Sequence, residues 1–199
     1  MSAEIQIDLA HPARLSRPHL LVRLLIGCAT GGIAHAIGWP GGVLYFGLPA
    51  LAAVLIAEHG APRFLAADGP RILRVLGWLL AFYAYMMLLT DEFPLETARV
   101  RYDSPPDGSP TVKSAVLRIF TSLPIAIVLA LLGFIAAVLA LLAMIAVLFV
   151  GHYPRSWFDF QSGMLRVQAR LLAYHASLTD VYPTLTFHGS GDLPAARAI

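Results

Sequence analysis

Ala84-Tyr85-Met86-Met87-Leu88-Leu89-Thr90-Asp91-Glu92-Phe93-Pro94 returns later in the chain as Ala173-Tyr174-His175-Ala176-Ser177-Leu178-Thr179-Asp180-Val181-Tyr182-Pro183. Both copies follow a long apolar block. Upstream, Pro62-Arg63 matches Pro154-Arg155, and Leu73-Arg74-Val75 matches Leu165-Arg166-Val167, if a gap of about three residues precedes the second Thr-Asp end. This reads as a tandem duplication, a common way to build a membrane protein. A boundary near Leu95 divides the chain into repeats 1–95 and 96–199.

Composition sets the class. The chain is 58% hydrophobic and 13% charged, with a mean hydropathy of +0.71, against roughly 25% charged residues in an average soluble domain. All charged side chains fall outside Leu24–Ala57 and Ile119–Val150, stretches longer than the ~20 residues that span a bilayer. An all-α integral membrane protein follows, multi-pass, with the bacterial inner membrane as the expected location. The N-terminal segment lacks a basic region followed by an apolar run and a cleavage site, so no cleavable signal is expected.

A net charge of +2 without an Arg/Lys cluster argues against a nucleic-acid surface. Arginine supplies all but one of the basic residues, Lys113 being the exception, a usage associated with GC-rich bacterial genomes. The single Cys28 excludes an internal disulfide.

Trp39-Pro40-Gly41-Gly42 breaks the first block, because proline cannot donate to a helix and paired glycines destabilise one. The second block has no comparable interruption after Pro124 and reads as one long span. Val75 to Leu89 is apolar on every face. Met164 to Leu178 carries Arg166 and Arg170, which must snorkel, pair inside a bundle or lie in the interface. The preferred count is two spanning helices per repeat, four in all within a range of four to six. A hairpin plus an in-plane amphipathic helix per repeat is the close alternative.

The preferred arrangement puts the Pro-Arg segments Glu58–Arg74 and Gly151–Arg170 on one side of the membrane. Arginine counts weakly favour the cytoplasm for that side. Alternating residues at Ile5–Leu9, Ala98–Tyr102 and Leu185–Phe187 suggest three short strands.

The second repeat, with Gly151-His152-Tyr153-Pro154-Arg155, Phe158-Asp159-Phe160, Leu165-Arg166, Tyr174 and Leu178-Thr179-Asp180-Val181-Tyr182-Pro183, resembles the bacterial membrane-protein family called domain of unknown function 4389. The first repeat keeps Pro62-Arg63 and Thr90-Asp91 through Pro94, but has Phe64-Leu65-Ala66-Ala67-Asp68 where Phe-Asp-Phe is expected. The resemblance implies a membrane architecture, often in two copies, and no established activity.

Cys28 and His35 share a helical face and could bind a metal. A packing cysteine and a hydrogen-bonded histidine is the much stronger reading, and no metal or cofactor is expected. No nucleophile elbow, phosphate loop or dinucleotide fingerprint is present, so no enzyme is expected. Gly27 and Gly31 form a small-residue helix-packing pattern. Asp159 reads as a helix cap beside an aromatic belt.

Asp91 and Asp180 sit at the unfavourable end of a helix dipole, so something should hold them. A following turn or an arginine such as Arg74 or Arg166 would do so, and a proton relay is the rival reading. The functional expectation is a non-catalytic accessory or scaffold subunit of a larger membrane assembly, with lipids, other membrane subunits or a second copy as partners. Lipid binding or membrane shaping is the alternative, and a small transporter is less favoured.

Overall fold

The structure is a computed structural model that describes Pro12 and residues 15–37, 40–93 and 108–187, with the side chains of 29–37, 40 and 41 outside the description. Every regular element among these residues is helical. Helix α1 covers Arg17–Ile37, α2 Pro40–His59, α3 Ala61–Arg63 and α4 Gly69–Met86, with a π-helical turn at Phe64–Asp68 before α4. Then follow α5 (Val112–Thr121), α6 (Leu123–Val150) and α7 (Arg155–His175).

Local chemistry accounts for the boundaries. α1 ends at Ile37 and α2 opens on Pro40, a residue tolerated in the first turn of a helix. Thr111 and Ser114 make a reciprocal capping box at the start of α5, satisfying backbone donors that a helix N-terminus leaves open. Pro124 has no N–H, and the chain turns at Ser122 between α5 and α6. α6 ends at Gly151 in the left-handed conformation, φ 81°, where a residue without Cβ is unstrained.

Among the described residues, two helices are long and apolar enough to cross a membrane, Gly42–His59 of α2 and Leu123–Val150 of α6. Only 22% of each is buried within the protein. Phe134 (73% exposed) and Phe149 (77%) project outward from α6. A soluble core helix buries such side chains, so these faces need an apolar medium or partner.

The described residues do not support four spans. α4 carries Arg71 and Arg74, leaving Val75–Met86 free of charge, about 12 residues or roughly 18 Å against the ~30 Å of a hydrocarbon core. α7 carries Arg155, Asp159, Arg166 and Arg170. It is instead the inner helix of the bundle, burying Phe158, Met164, Leu165, Val167 and Ala169.

The packing is reciprocal. Leu88 and Leu89, at the exit of α4, share a cluster with Tyr153 and Phe158 at the α6–α7 turn. Ala176 and Leu178, at the exit of α7, share another with Ile56 and Phe64 at the α2–α4 turn. The two Pro-Arg turns therefore lie at opposite ends of α4, and not on one side as the crossing count suggested. α4 and α7 run antiparallel between them.

The strand expected at Leu185–Phe187 is absent: this segment follows α7 without a strand partner among the described residues. Arg170 donates to Thr184 O and to Thr186 Oγ1 and O, and Arg166 donates to Phe187 O. These bonds take the place of a ladder and also answer how the two α7 arginines are tolerated. Strands expected at 5–9 and 98–102 lie outside the described residues.

Phe187 lies flat against Gly163, where an added Cβ would meet its Cδ1 at 2.5 Å and its Cβ at 2.7 Å. Gly163→Ala should lower stability in detergent by about 1 to 3 kcal/mol through overpacking. Adding Phe187→Ala should recover part of that loss. A neutral Gly163→Ala in thermal unfolding would contradict the close seating of this tail.

Candidate functional site

The two Thr-Asp ends are built on the same plan. α4 closes with the Leu89 N–H donating to Ala84 O at 2.9 Å and the Leu88 N–H to Tyr85 O at 3.2 Å. α7 closes with Leu178 N–H to Ala173 O at 3.1 Å and Ser177 N–H to Tyr174 O at 3.0 Å. This paired bonding is the Schellman termination, whose turning residue adopts left-handed backbone. Here that residue is Leu88 (φ 61°) or Ser177 (φ 59°), in place of the usual glycine. A non-glycine residue there costs roughly 1 to 2 kcal/mol, so surrounding contacts must compensate.

A buried arginine supplies them. Arg23, 1% exposed, lies over the Tyr85 ring at 4.4 Å from its centroid. Its Nε donates to Tyr85 O at 2.7 Å, and its Nη2 to Thr90 O at 2.6 Å and Asp91 Oδ1 at 2.9 Å. Arg118, 4% exposed, lies over Tyr174 at 4.5 Å. Its Nη1 donates to Tyr174 O and Thr179 O, both at 2.6 Å, and its Nη2 to Asp180 Oδ1 at 2.5 Å.

The second carboxylate oxygen accepts a backbone N–H in each case, Ser16 for Asp91 at 2.7 Å and Ser109 for Asp180 at 2.6 Å. Thr90 and Thr179 hydroxyls accept from the Glu92 and Val181 N–H groups, small turns that aim the following chain.

The electrostatics follow from the helix ends. A helix C-terminus exposes carbonyls and carries partial negative charge, which favours a cation. The guanidinium brings that cation, and the aspartate then neutralises the guanidinium. The acid's position at the unfavourable end is thereby explained. Arg74 and Arg166 are not its partners; Arg166 is occupied with Phe187 O instead. The true partners leave a signal in the sequence. Leu21-Val22-Arg23-Leu24-Leu25 and Val116-Leu117-Arg118-Ile119-Phe120 each hold a lone arginine between apolar pairs.

Beside the second clasp lies a polar cluster at the α5–α6 break. Ser122 Oγ donates to Arg118 O at 2.6 Å and lies 2.6 Å from His175 Nε2. With its own proton committed, Ser122 accepts from Nε2–H, which assigns the neutral tautomer. The Tyr45 hydroxyl donates to Ile119 O. Burial first, and Arg118 second, depress the His175 pKa to about 4. Sequence reasoning missed this cluster because its members are far apart in the chain.

The remaining expected residues divide. Phe158 packs edge-on against Tyr153, Phe160 stacks on Phe187 and Pro183 is buried, whereas Arg155 is exposed and Pro154 half-buried. Asp159 is not a cap: Pro154 holds that position and Asp159 is exposed one turn inside α7. A Cβ on Gly27 would sit 3.7 Å from Met86 Cε, so α1 meets α4 there. Cys28 is exposed, while the side chains of Gly31 and His35, and Pro94 altogether, lie outside the described residues.

These features define an all-helical protein with two apolar helices of membrane-spanning length and two arginine-aspartate clasps. Residues 113–186, which contain the whole of α6, α7 and the second clasp, match the family model described as Domain of unknown function (DUF4389). This segment is a domain of that family. No curated protein and no solved structure matches the chain.

Two measurements test the site. Arg118→Met should cost about 3 to 5 kcal/mol, since it strands a carboxylate and helix-end carbonyls, whereas Asp180→Asn should cost about 1 kcal/mol because an amide oxygen still accepts. Equal losses in denaturant titrations would contradict the clasp. Separately, His175 binds a proton at pH 6.5 when unfolded but only near 4 when folded. Its stabilising contribution is therefore full above pH 6.5 and falls on acidification toward 4, by up to ~1.4 kcal/mol per unit. His175→Gln should remove that part of the slope; an unchanged slope would place the titration elsewhere.

Proposed function

We propose that this chain is a non-catalytic, multi-pass protein of the bacterial inner membrane that serves as an accessory or scaffold subunit of a larger membrane assembly. The observation that carries the reading is how the charge is used. The buried arginines and their aspartates are spent on internal helix closures, while the apolar helices turn their side chains outward. Chemistry normally needs a titratable group free to act, and His175, the strongest candidate, is sealed against Ser122.

The chain is also read as two copies of one unit, divided near Leu95. The equivalence of Arg23, Tyr85 and Asp91 with Arg118, Tyr174 and Asp180 supports this. The proton-relay reading loses ground because each acid is already paired. A small transporter is less favoured, because only the first apolar block carries a clear break, whereas transporter sites use breaks at corresponding positions in both halves.

Flotation with membranes, followed by extraction in mild detergent at native expression level, tests the proposal. The chain should resist alkaline wash and migrate in detergent with a larger complex. A strictly monomeric species with no companion protein would count against the scaffold role. Release by alkaline wash would remove the membrane reading itself.

A further inference from the structure

The turn after α2 presents cations outward. Arg63, Arg71 (77% exposed) and Arg74 are exposed at the α2–α4 junction, immediately beyond the apolar segment that ends at His59. Lys113 is exposed in the first turn of α5, whose Ala115 packs into the same cluster as Ile56 and Phe64. The acids cancel this charge only in part. Asp68 is turned inward by the π-helical turn and takes the His59 Nδ1 at 2.8 Å, with Arg71 at 3.8 Å. Glu58 is the exposed acid of the α2 end.

The outer face of α4 then changes character along its length. Arg71 and Arg74 are followed one turn on by Val75 (58% exposed) and Trp78 (46% exposed), the latter stacked on Phe82. A cationic turn above an exposed aromatic and apolar turn matches the order of chemistry met on passing from lipid headgroups into acyl chains.

Resting on the membrane reading above, we infer that this face is a binding surface for anionic phospholipid. Arg63, Arg71 and Arg74 meet the headgroup phosphates, and Val75 and Trp78 lie against the first segments of the acyl chains. Charge complementarity selects this occupant. A protein partner would bury the arginines against acids, whereas the adjoining apolar helices already require lipid at the same level. Attraction of this kind favours anionic over zwitterionic lipid severalfold and weakens with salt.

The test uses the full chain with Trp39→Phe and Trp157→Phe, so that Trp78 is the sole tryptophan, reconstituted in vesicles. Trp78 fluorescence is quenched by brominated phosphatidylglycerol or brominated phosphatidylcholine, each diluted in the unlabelled other lipid. Phosphatidylglycerol should be preferred about three- to tenfold, and the preference should shrink as salt rises. Arg63→Gln, Arg71→Gln and Arg74→Gln together should bring the ratio close to one. Equal quenching by the two lipids, a preference insensitive to salt, or one that survives the triple substitution overturns the proposal. If the triple variant does not fold, the salt series on the parent decides. A chain that fails to float with the vesicles sinks the membrane reading and this surface with it, whereas one that floats without preference sinks this surface alone.

Discussion

A guanidinium buried against the carbonyls of a helix end is the interaction on which the rest of this structure depends. Burying a charge is costly unless every surrounding group cooperates, and here tyrosine faces, helix-end carbonyls and an aspartate all do. One nitrogen of Arg23, Nη1, has no acceptor among the described residues; the corresponding nitrogens of Arg118 are both engaged. The second clasp is the better satisfied of the two, and it lies in the half that matches the family. The aspartates remain partly wet, 27% and 52% exposed at the side chain, so each pair is anchored by its arginine more than by its acid.

Placement turns two local closures into a global constraint. Each clasp is packed against the turn of the other half: Leu88 and Leu89 against Tyr153 and Phe158, Ala176 and Leu178 against Ile56 and Phe64. α4 and α7 are tied at both ends in this way. The apolar helices α2 and α6 each lend one narrow face to the core, Ala52, Ala53 and Ile56 from α2 and Ala143 and Val147 from α6, and expose most of the rest. At 28 residues, α6 is about 42 Å long, more than a bilayer requires, so as a span it would tilt or project at one end.

Much of this was legible before the structure. The duplicated Thr-Asp ends, the break at Trp39-Pro40 and the unbroken run of α6 follow from proline chemistry and charge-free length, which are local properties. The partners of the aspartates were not legible in the same way. Arg74 and Arg166 are closer in sequence to the acids, but helix geometry points them elsewhere. Arg23 and Arg118 reach the helix ends only through tertiary packing. Alternation at Leu185–Phe187 imitated a strand because the segment runs along α7, where Arg166 and Arg170 hold its backbone and Phe187 turns in against Gly163 while Leu185 stays exposed. The four-span count finds no support in α7, because segment hydropathy does not register that this helix buries itself in protein.

A double-mutant cycle between the two clasps tests most directly the claim that they act as one constraint. Arg23→Met, Arg118→Met and the double variant would be compared by reversible unfolding in mixed detergent micelles. Because each clasp closes on the other half's turn, breaking one should loosen the seat of the other, giving a coupling energy above about 1 kcal/mol although the arginines share no partner. Losses that add to within about 0.5 kcal/mol would mean that the clasps are independent staples, and would contradict the account.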